Sequence, residues 1–140
     1  MSVKKYIIDT NALISYVTDR HPDQQKRIAR LLQEVADSTA VVLCPQNVVT
    51  EFIYVLDKVY GVSKADIRMM VKDFLAMPGI ELVHEIDFGS VLKLWPNAVP
   101  DIGDAIVASL GNLYKGTPIV TFDLRFMRAL RRIGVPVEKP

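Results

Sequence analysis

The chain has 140 residues, of which 50% are hydrophobic and 24% are charged, and this balance predicts one globular domain with a buried core. Its net charge of +1 excludes a global attraction to nucleic acid, so any such binding requires a local basic patch. The single cysteine excludes intrachain disulfides and zinc sites built from cysteines. No apolar run approaches the ~18 residues of a membrane span and no signal peptide is expected, so the default expectation is a cytoplasmic protein without membrane contact.

Five short apolar segments alternate with longer segments in which apolar residues recur at helical spacing. The predicted strands are residues 4–8, 40–43, 80–84, 119–122 and 135–137. The predicted helices are residues 12–17, 23–37, 46–60, 63–77, 86–95, 101–114 and 124–132. This alternation favours parallel strands with helices on both faces, which is a three-layer α/β/α sandwich around a central parallel sheet of about five strands.

Capping and turn residues mark the ends of several predicted elements. Thr10 or Asn11 is able to cap the first helix, and Pro45 ends the second strand and suits the first turn of the next helix. Ser63 and Asp66 resemble a capping box that opens the fourth helix. No internal repeat, low-complexity tract or linker interrupts the elements, so residues 1–140 are expected to form one domain.

Four acidic residues stand where solvation alone does not explain them. Asp9 and Asp123 directly follow apolar strands, and the carboxyl ends of parallel strands form the edge where open α/β sheets bind ligands. Glu51 lies beside the apolar stripe of its helix and is expected to be half-buried, and Asp104 lies in the first turn of the most apolar helix. Each acid alone is also explained as a turn, cap or helix-dipole residue, so the prediction depends on the set.

A converging set of carboxylates needs something to offset its charge. Several carboxylates within a few ångströms repel one another, so some must bind protons or a cation must join them. Hard divalent cations take oxygen ligands, and such a site can activate water and hold a phosphodiester. His21 and His84 are expected to be solvated loop residues that take no part.

Four segments, taken together and in this order, resemble the PIN domain. They are IIDTNALI at residues 7–14, VVTEF at 48–52, DAIVA at 104–108 and TFDLRF at 121–126. The likeness spans essentially the whole chain, and at this length it is greatest to the VapC-type ribonuclease toxins of bacterial and archaeal toxin–antitoxin pairs.

The resemblance implies a PIN-like fold and a metal-dependent endoribonuclease, which uses Mg²⁺ or Mn²⁺ in hydrolysis of the two-metal type and leaves a 5′-phosphate and a 3′-hydroxyl. It implies that four acids are catalytic and hold the metal, namely Asp9, Glu51, Asp104 and Asp123. It implies supporting roles for Asn11 and Thr121. Thr10 and Asp101 are further candidates for such roles, and Asp101 is alternatively explained as the N-cap of its helix. The resemblance also implies an RNA substrate, a homodimer and a small antitoxin protein whose tail enters the acidic groove.

A basic segment follows Asp123. Helical spacing places Arg125, Arg128 and Arg132 on one face, where they are candidates for contacts with RNA phosphates. The alternative is that these cations only complement the dipole at the end of their helix.

Two other functions remain open. One is an Asp-based α/β enzyme such as a phosphatase of the haloacid dehalogenase type, which requires a second Asp two positions after the first, where this chain has Asn11. The other is a non-catalytic RNA- or protein-binding PIN-like domain, because a fold does not prove an activity. Metal dependence separates these alternatives, because only the nuclease cuts RNA when Mg²⁺ or Mn²⁺ is supplied.

Overall fold

The computed structural model describes residues 3–140, in which five strands alternate with seven helices. In chain order the elements are β1 (Lys4–Ile8), α1 (Thr10–Val17), α2 (Pro22–Ala36), β2 (Ala40–Pro45), α3 (Gln46–Lys58), α4 (Lys64–Ala76), β3 (Ile80–Val83), α5 (Phe88–Leu94), α6 (Ile102–Leu113), β4 (Ile119–Val120), α7 (Leu124–Arg132) and β5 (Val137–Glu138). Every predicted strand and helix is present, and the differences lie at the ends of the elements.

The strands form one parallel sheet in the order β3-β2-β1-β4-β5. Chain order runs outward from β1 through β2 to β3 and then restarts on the other side of β1 with β4. The reversal point therefore lies between β1 and β4, where Ile8 is in register with Val120. In open parallel sheets such a point opens a crevice at the carboxyl ends of the strands, and ligands bind there.

The core lies on both faces of this sheet. In β1 the consecutive residues Tyr6, Ile7 and Ile8 are all buried, and side chains alternate between the two faces of a strand. Both faces of the sheet must therefore be covered by helices, as an all-parallel sheet requires. The predicted α/β fold with five parallel strands is confirmed.

The most apolar helix, α6, illustrates how the core is built. Its residues from Ala105 through Gly111 are all buried, and the helix packs on β1 and β4. Gly111 permits close packing on β4 and on the segment before β5, because a methyl group built on it would lie 3.2 Å from Ile119 Cδ1 and 2.5 Å from Val135 Cγ1. Within residues 3–140 no helix is both long enough and apolar enough to cross a membrane.

The predicted cap of the first helix is wrong. α1 begins at Thr10 rather than at residue 12, and Asp9 occupies the N-cap position without a side-chain capping bond. Thr10 and Asn11 lie inside the helix, because their side-chain oxygens are committed to Glu51 and to the backbone of Phe122.

Several predicted boundaries shift by one to three residues. β2 continues through Pro45, whose φ of −65° and ψ of 144° suit both a strand end and the N-cap of α3. β4 ends at Val120, because Thr121 turns its hydroxyl to the acids that follow the strand. β5 moves from 135–137 to Val137–Glu138, because the amide of Val135 instead bonds Leu130 at the end of α7.

α3 ends at Lys58, two residues before the predicted end of this helix, and Val59 directly after it is 68% exposed. His21 is exposed, but it has a defined role, since its Nδ1 accepts a hydrogen bond from the amide of Gln24 and caps α2. Both findings leave the core unchanged.

Candidate active site at the carboxyl edge of the sheet

The sheet brings the ends of β1 and β4 side by side. Asp9 directly follows β1, and its amide donates to the carbonyl oxygen of Val120 at 3.0 Å. Thr121 directly follows β4, and Asp123 lies two residues further on. Parallel pairing of these two strands therefore places Asp9, Thr121 and Asp123 at one edge, as the sequence predicts.

Two helices begin at this same edge. α3 follows the carboxyl end of β2, the neighbour of β1, and carries Glu51 in its second turn. α6 leads into the start of β4, so it must begin at the carboxyl edge and run back along the sheet. Its first turn carries Asp104, and the four predicted acids thus come from four separate segments.

A buried hydroxyl links the acids that follow β1 and β4. Thr121 is fully buried and donates from Oγ1 to Asp9 Oδ2 at 2.9 Å. Thr121 Oγ1 also accepts a hydrogen bond from the amide of Asp123 at 3.1 Å. Asp123 Oδ1 in turn accepts the amides of Arg125 and Phe126, so Asp123 also caps α7. Its structural role as a cap and its place beside Asp9 are therefore compatible.

We expect Thr121→Val to destabilise the protein by about 1–3 kcal/mol, because it leaves two buried polar groups without a partner. It should also raise the pKa of Asp9, since the bond from Thr121 lowers that pKa. Urea unfolding measures the first effect and carboxyl NMR the second. Thr117→Val is the control, because Thr117 is buried in the loop at the opposite edge of the sheet. An unchanged Asp9 pKa in Thr121→Val would contradict the expected role of this bond.

Glu51 is held by a neighbour on α1. Thr10 is buried and donates from Oγ1 to Glu51 Oε2 at 3.1 Å. The predicted half-burial of Glu51 is wrong for the residue as a whole, which is exposed, because α3 presents its second turn at the rim of the sheet. Its carboxyl group is nevertheless partly shielded, and burial raises its pKa while the bond from Thr10 lowers it.

Asn11 joins the segments that follow β1 and β4. Its Oδ1 accepts the amide of Phe122 at 2.8 Å. Its own carbonyl oxygen accepts from Arg20 Nη2 at 2.8 Å, and the same guanidinium group donates to the buried Ser15. Arg20 was not predicted as part of the site, and only its short spacing from Asn11 hints at a contact.

Asp101 and Asp104 share the start of α6. Asp101 is exposed and caps the helix, with its Oδ1 accepting the amide of Asp104 at 2.9 Å. Asp104 is partly buried, and its carboxyl group faces the charges of the other acids. The alternative explanation of Asp101 as an N-cap is therefore confirmed, although its charge still acts on Asp104.

The acids perturb one another electrostatically. Burial raises the pKa of Asp9 to about 7, with further increases from the charges of Glu51 and Asp123, although the bond from Thr121 lowers it. Burial also raises the pKa of Asp104 to about 8, and four nearby carboxyl groups add to this effect, namely Asp9, Asp101, Asp123 and Glu51. Such mutual effects require the carboxyl groups to lie close together, and they are strongest where burial limits solvation.

In the part of the chain that the structure describes, no basic side chain offsets this charge by an ion pair. Within residues 3–140 none of the four acids forms an ion pair with Lys or Arg, and the observed pairs lie on α2 and around Asp57. No three acidic, histidine or cysteine side chains among these residues are grouped closely enough to enclose one metal ion. Repulsion between like charges opposes a closer approach. By donor type, a set of carboxylate oxygens suits a hard divalent cation.

One predicted basic residue reaches the acidic edge. A cavity of about 290 Å³ is lined by Asp104, Asp123 and Arg125 together with residues of the loop before α6 and of α7. Arg128 and Arg132 are exposed further along α7, where Arg132 Nε approaches the carbonyl oxygen of Arg128 at 3.5 Å. The structure therefore brings Arg125 to the acids, and it leaves the other two on the outer surface of the helix.

An all-parallel sheet with acidic side chains gathered at its reversal point defines an α/β protein with a candidate site at the carboxyl edge. The family model of the PIN domain matches residues 6–131, and the chain belongs to the PIN-domain family. The resemblance stated from the four motifs is thereby confirmed.

A solved structure supports the same fold. A chain in the crystal structure of VapBC2 from Rickettsia felis bound to a DNA fragment from their promoter superposes with a TM-score of 0.70. The superposition covers 96% of this chain and 97% of that chain at 18% sequence identity, so the likeness concerns the fold. No curated protein matches the chain.

Proposed function

We propose that the chain is a metal-dependent endoribonuclease that hydrolyses RNA phosphodiester bonds, and that it is the toxin of a toxin–antitoxin pair. The observation that carries the proposal is the set of four carboxyl groups at one sheet edge. The charges of neighbouring acids raise the pKa of Asp9 and of Asp104 there, and none of the four has a basic partner within residues 3–140. Membership of the PIN-domain family supports a nuclease over other carboxylate enzymes.

Each acid has a distinct role in this proposal. Asp9 and Asp104 are the central ligands for Mg²⁺ or Mn²⁺, and Glu51 and Asp123 complete the site or orient water. The cation supplies Lewis-acid chemistry at the phosphodiester when it is bound. Thr121 keeps one oxygen of Asp9 fixed, and Thr10 does the same for Glu51, so both carboxyl groups are oriented before substrate arrives.

The phosphatase alternative receives no support from the neighbourhood of Asp9. The position two residues later is Asn11, and its side-chain oxygen accepts the amide of Phe122 rather than facing a substrate. An acid–base partner for phosphoryl transfer to Asp9 would have to come from elsewhere. A non-catalytic binding domain, for its part, has no need for four mutually repelling acids, which are unfavourable unless they serve chemistry.

The direct test is incubation of total cellular RNA with the purified protein in Mg²⁺, Mn²⁺ or EDTA, followed by mapping of the fragment ends. We expect cuts only in the presence of a cation, with a 5′-phosphate and a 3′-hydroxyl at each cut. Unchanged cleavage in EDTA, or binding of RNA without cleavage in both cations, would contradict the proposal.

We expect Arg125→Ala to weaken RNA binding and to reduce the slope of log affinity against log salt by about 0.7, the value for one phosphate contact on a single strand. The reason is that Arg125 lines the same cavity as Asp104 and Asp123. Binding is measured with the Asp9→Asn protein, so that substrate is not consumed. Arg131→Ala is the matched control, because Arg131 is exposed on the same helix but off the predicted face. An equal loss of RNA affinity in Arg125→Ala and Arg131→Ala would show that Arg125 acts only through net charge.

Two observations support the proposal of an antitoxin partner, namely the fold and a groove on the surface. The structurally similar chain comes from a VapBC2 structure, and we propose a corresponding small protein partner here. A groove of about 450 Å³ between α3 and α4 has an apolar floor that includes Ile53 and Ile67, and Lys64, Arg68 and Lys72 stand along its side. An apolar helix with acidic flanks fits such a groove. Co-expression with any small protein encoded beside the gene of this chain, followed by co-purification, tests this pairing.

A homodimer is also proposed. α5 leaves an apolar row exposed, formed by Phe88 at 52%, Leu92 at 56% and Trp95 at 39%. Exposed apolar residues that are contiguous on one face mark interaction surfaces more often than isolated ones do. Sedimentation of the wild type and of Leu92→Glu tests the proposal, and a monomer in both cases would oppose it.

A further inference from the structure

The position of Glu51 depends on two residues that carry no charge. Asn47 lies one turn before Glu51 on α3, and Gly103 lies directly before Asp104 on α6. Asn47 Nδ2 donates to the carbonyl oxygen of Gly103 at 3.3 Å, and this bond ties the helix of Glu51 to the helix of Asp104.

Gly103 leaves the space that the Glu51 carboxyl group uses. A methyl group built on Gly103 lies 3.3 Å from Glu51 Oε2 and 3.2 Å from Asp101 Oδ1, closer than a carbon and an oxygen ordinarily approach. An alanine at this position would require the neighbouring carboxyl groups to move by a few tenths of an ångström. The backbone of Gly103 does not have a positive φ, so conformational freedom is not the reason for a glycine here.

The side-chain oxygen of Asn47 lies in an unfavourable environment. Its Oδ1 is buried and has no hydrogen-bond partner within residues 3–140. Exchanging the two ends of the amide would not relieve this, because Oδ1 would then face the carbonyl oxygen of Gly103. A buried acceptor without a partner lowers stability, so fold stability alone does not account for an asparagine at this position.

We propose that Asn47 and Gly103 are positioning residues that together set the distance between Glu51 and the acids of α6, and thereby the affinity of the site for a divalent cation. The inference rests on the proposed function, because it assumes that these acids bind a cation. It assigns no new ligand. It states which uncharged residues fix the spacing of the ligands, as residues behind a metal site commonly do.

The chain contains a matched control for Gly103. Gly89 is likewise the second residue of a helix that follows an aspartate N-cap, and a methyl group built on it lies 3.1 Å from Asp87 Oδ1. Gly89→Ala therefore reproduces the change in helix propensity and the contact with the cap. The contact with Glu51 exists only at Gly103.

The experiment is titration of the metal-free proteins with Mn²⁺, monitored by calorimetry, together with urea unfolding of each protein. We expect Gly103→Ala to weaken Mn²⁺ binding about tenfold, while Gly89→Ala stays within about twofold of wild type. Gly103→Ala should be about as stable as Gly89→Ala, because both substitutions replace glycine by alanine at the second position of a helix. Loss of affinity without loss of stability is the signature of positioning.

Asn47→Leu is the second variant, because leucine has the same number and branching of side-chain heavy atoms and carries no unpaired oxygen. We expect it to keep or raise stability and to weaken Mn²⁺ binding about tenfold. Wild-type affinity in both Gly103→Ala and Asn47→Leu would overturn the inference and leave the nuclease proposal standing. A wild-type protein that neither binds Mn²⁺ nor cuts RNA would overturn the proposed function and this inference with it.

Discussion

Asp9→Asn is expected to reduce RNA cleavage at least about a thousandfold, because loss of a central ligand removes several kcal/mol of transition-state stabilisation. The fold should survive, since an asparagine oxygen can still accept the hydrogen bond that Thr121 donates. Cleavage of a defined RNA in Mg²⁺ under single-turnover conditions measures the effect. Persistent cleavage by a homogeneous Asp9→Asn sample would count against the role of Asp9.

The same substitution should have the opposite effect on stability. Above pH 7 the metal-free wild type must hold a buried Asp9 in its charged form, and Asn removes that unfavourable charge. We therefore expect metal-free Asp9→Asn to unfold at higher urea concentration than wild type at pH 8. Asp37→Asn is the control, because Asp37 is exposed before β2, at the opposite edge of the sheet. Lower stability in Asp9→Asn at pH 8 would mean that Asp9 is a structural residue.

The second large effect is a fall in stability of the metal-free protein as pH rises. Asp9 and Asp104 have pKa values of about 7 and about 8 in the folded protein, against ordinary values near 3.8 in the unfolded chain. Between pH 3.8 and these raised pKa values the folded state binds more protons than the unfolded state, so raising the pH favours unfolding. The contribution is fully present below about pH 3.8, falls progressively as pH rises, and is completely lost once pH has passed through 7 and 8.

Each extra proton in the folded state gives a slope of about 1.4 kcal/mol per pH unit. The total contribution of Asp104 should be smaller than its raised pKa alone implies, because Asp104 is only partly buried and water screens its charge. Urea unfolding in EDTA from pH 5 to pH 8.5 measures the slope, and Asp104→Asn should flatten its upper part. Stability that rises over this range would contradict the raised pKa values.

Divalent cations should reverse this trend. Ligand carboxylates must lose their protons, so affinity for Mg²⁺ or Mn²⁺ increases with pH over the same range. A cation at a hundred times its Kd adds about 2.7 kcal/mol to the stability of the folded state. The proton and the cation are thus alternative ways to offset one cluster of negative charge.

The fold was predictable because strand and helix signals alternate clearly along the chain. Consecutive apolar residues such as Ile7 and Ile8 indicate strands buried on both faces, and the structure has them in the middle of a parallel sheet. The ends of elements were less predictable, because they depend on contacts distant in sequence. Thr10 looks like a cap until its hydroxyl is seen to bond Glu51, which lies 41 positions away.

The candidate site was predictable only in part, for a similar reason. Charged residues after strands draw attention, so Asp9 and Asp123 are visible in the sequence. Asn47 and Gly103 are not, because neither is ionisable and their relation to Glu51 exists only once α3 and α6 pack together. The i, i+4 spacing of Asn47 and Glu51 was the one available signal, and by itself it indicates only a shared helix face.

The proposed nuclease function depends most directly on where a divalent cation binds. Diffraction from crystals of the protein grown with Mn²⁺, measured at a wavelength where Mn²⁺ scatters anomalously, locates the ion without reference to activity. We expect an anomalous peak at the carboxyl edge of the sheet, coordinated by oxygens of Asp9 and Asp104 and close to Glu51 and Asp123. A well-ordered site with no peak there, or a peak elsewhere on the molecule, would contradict the claim that these four side chains form one metal-dependent centre.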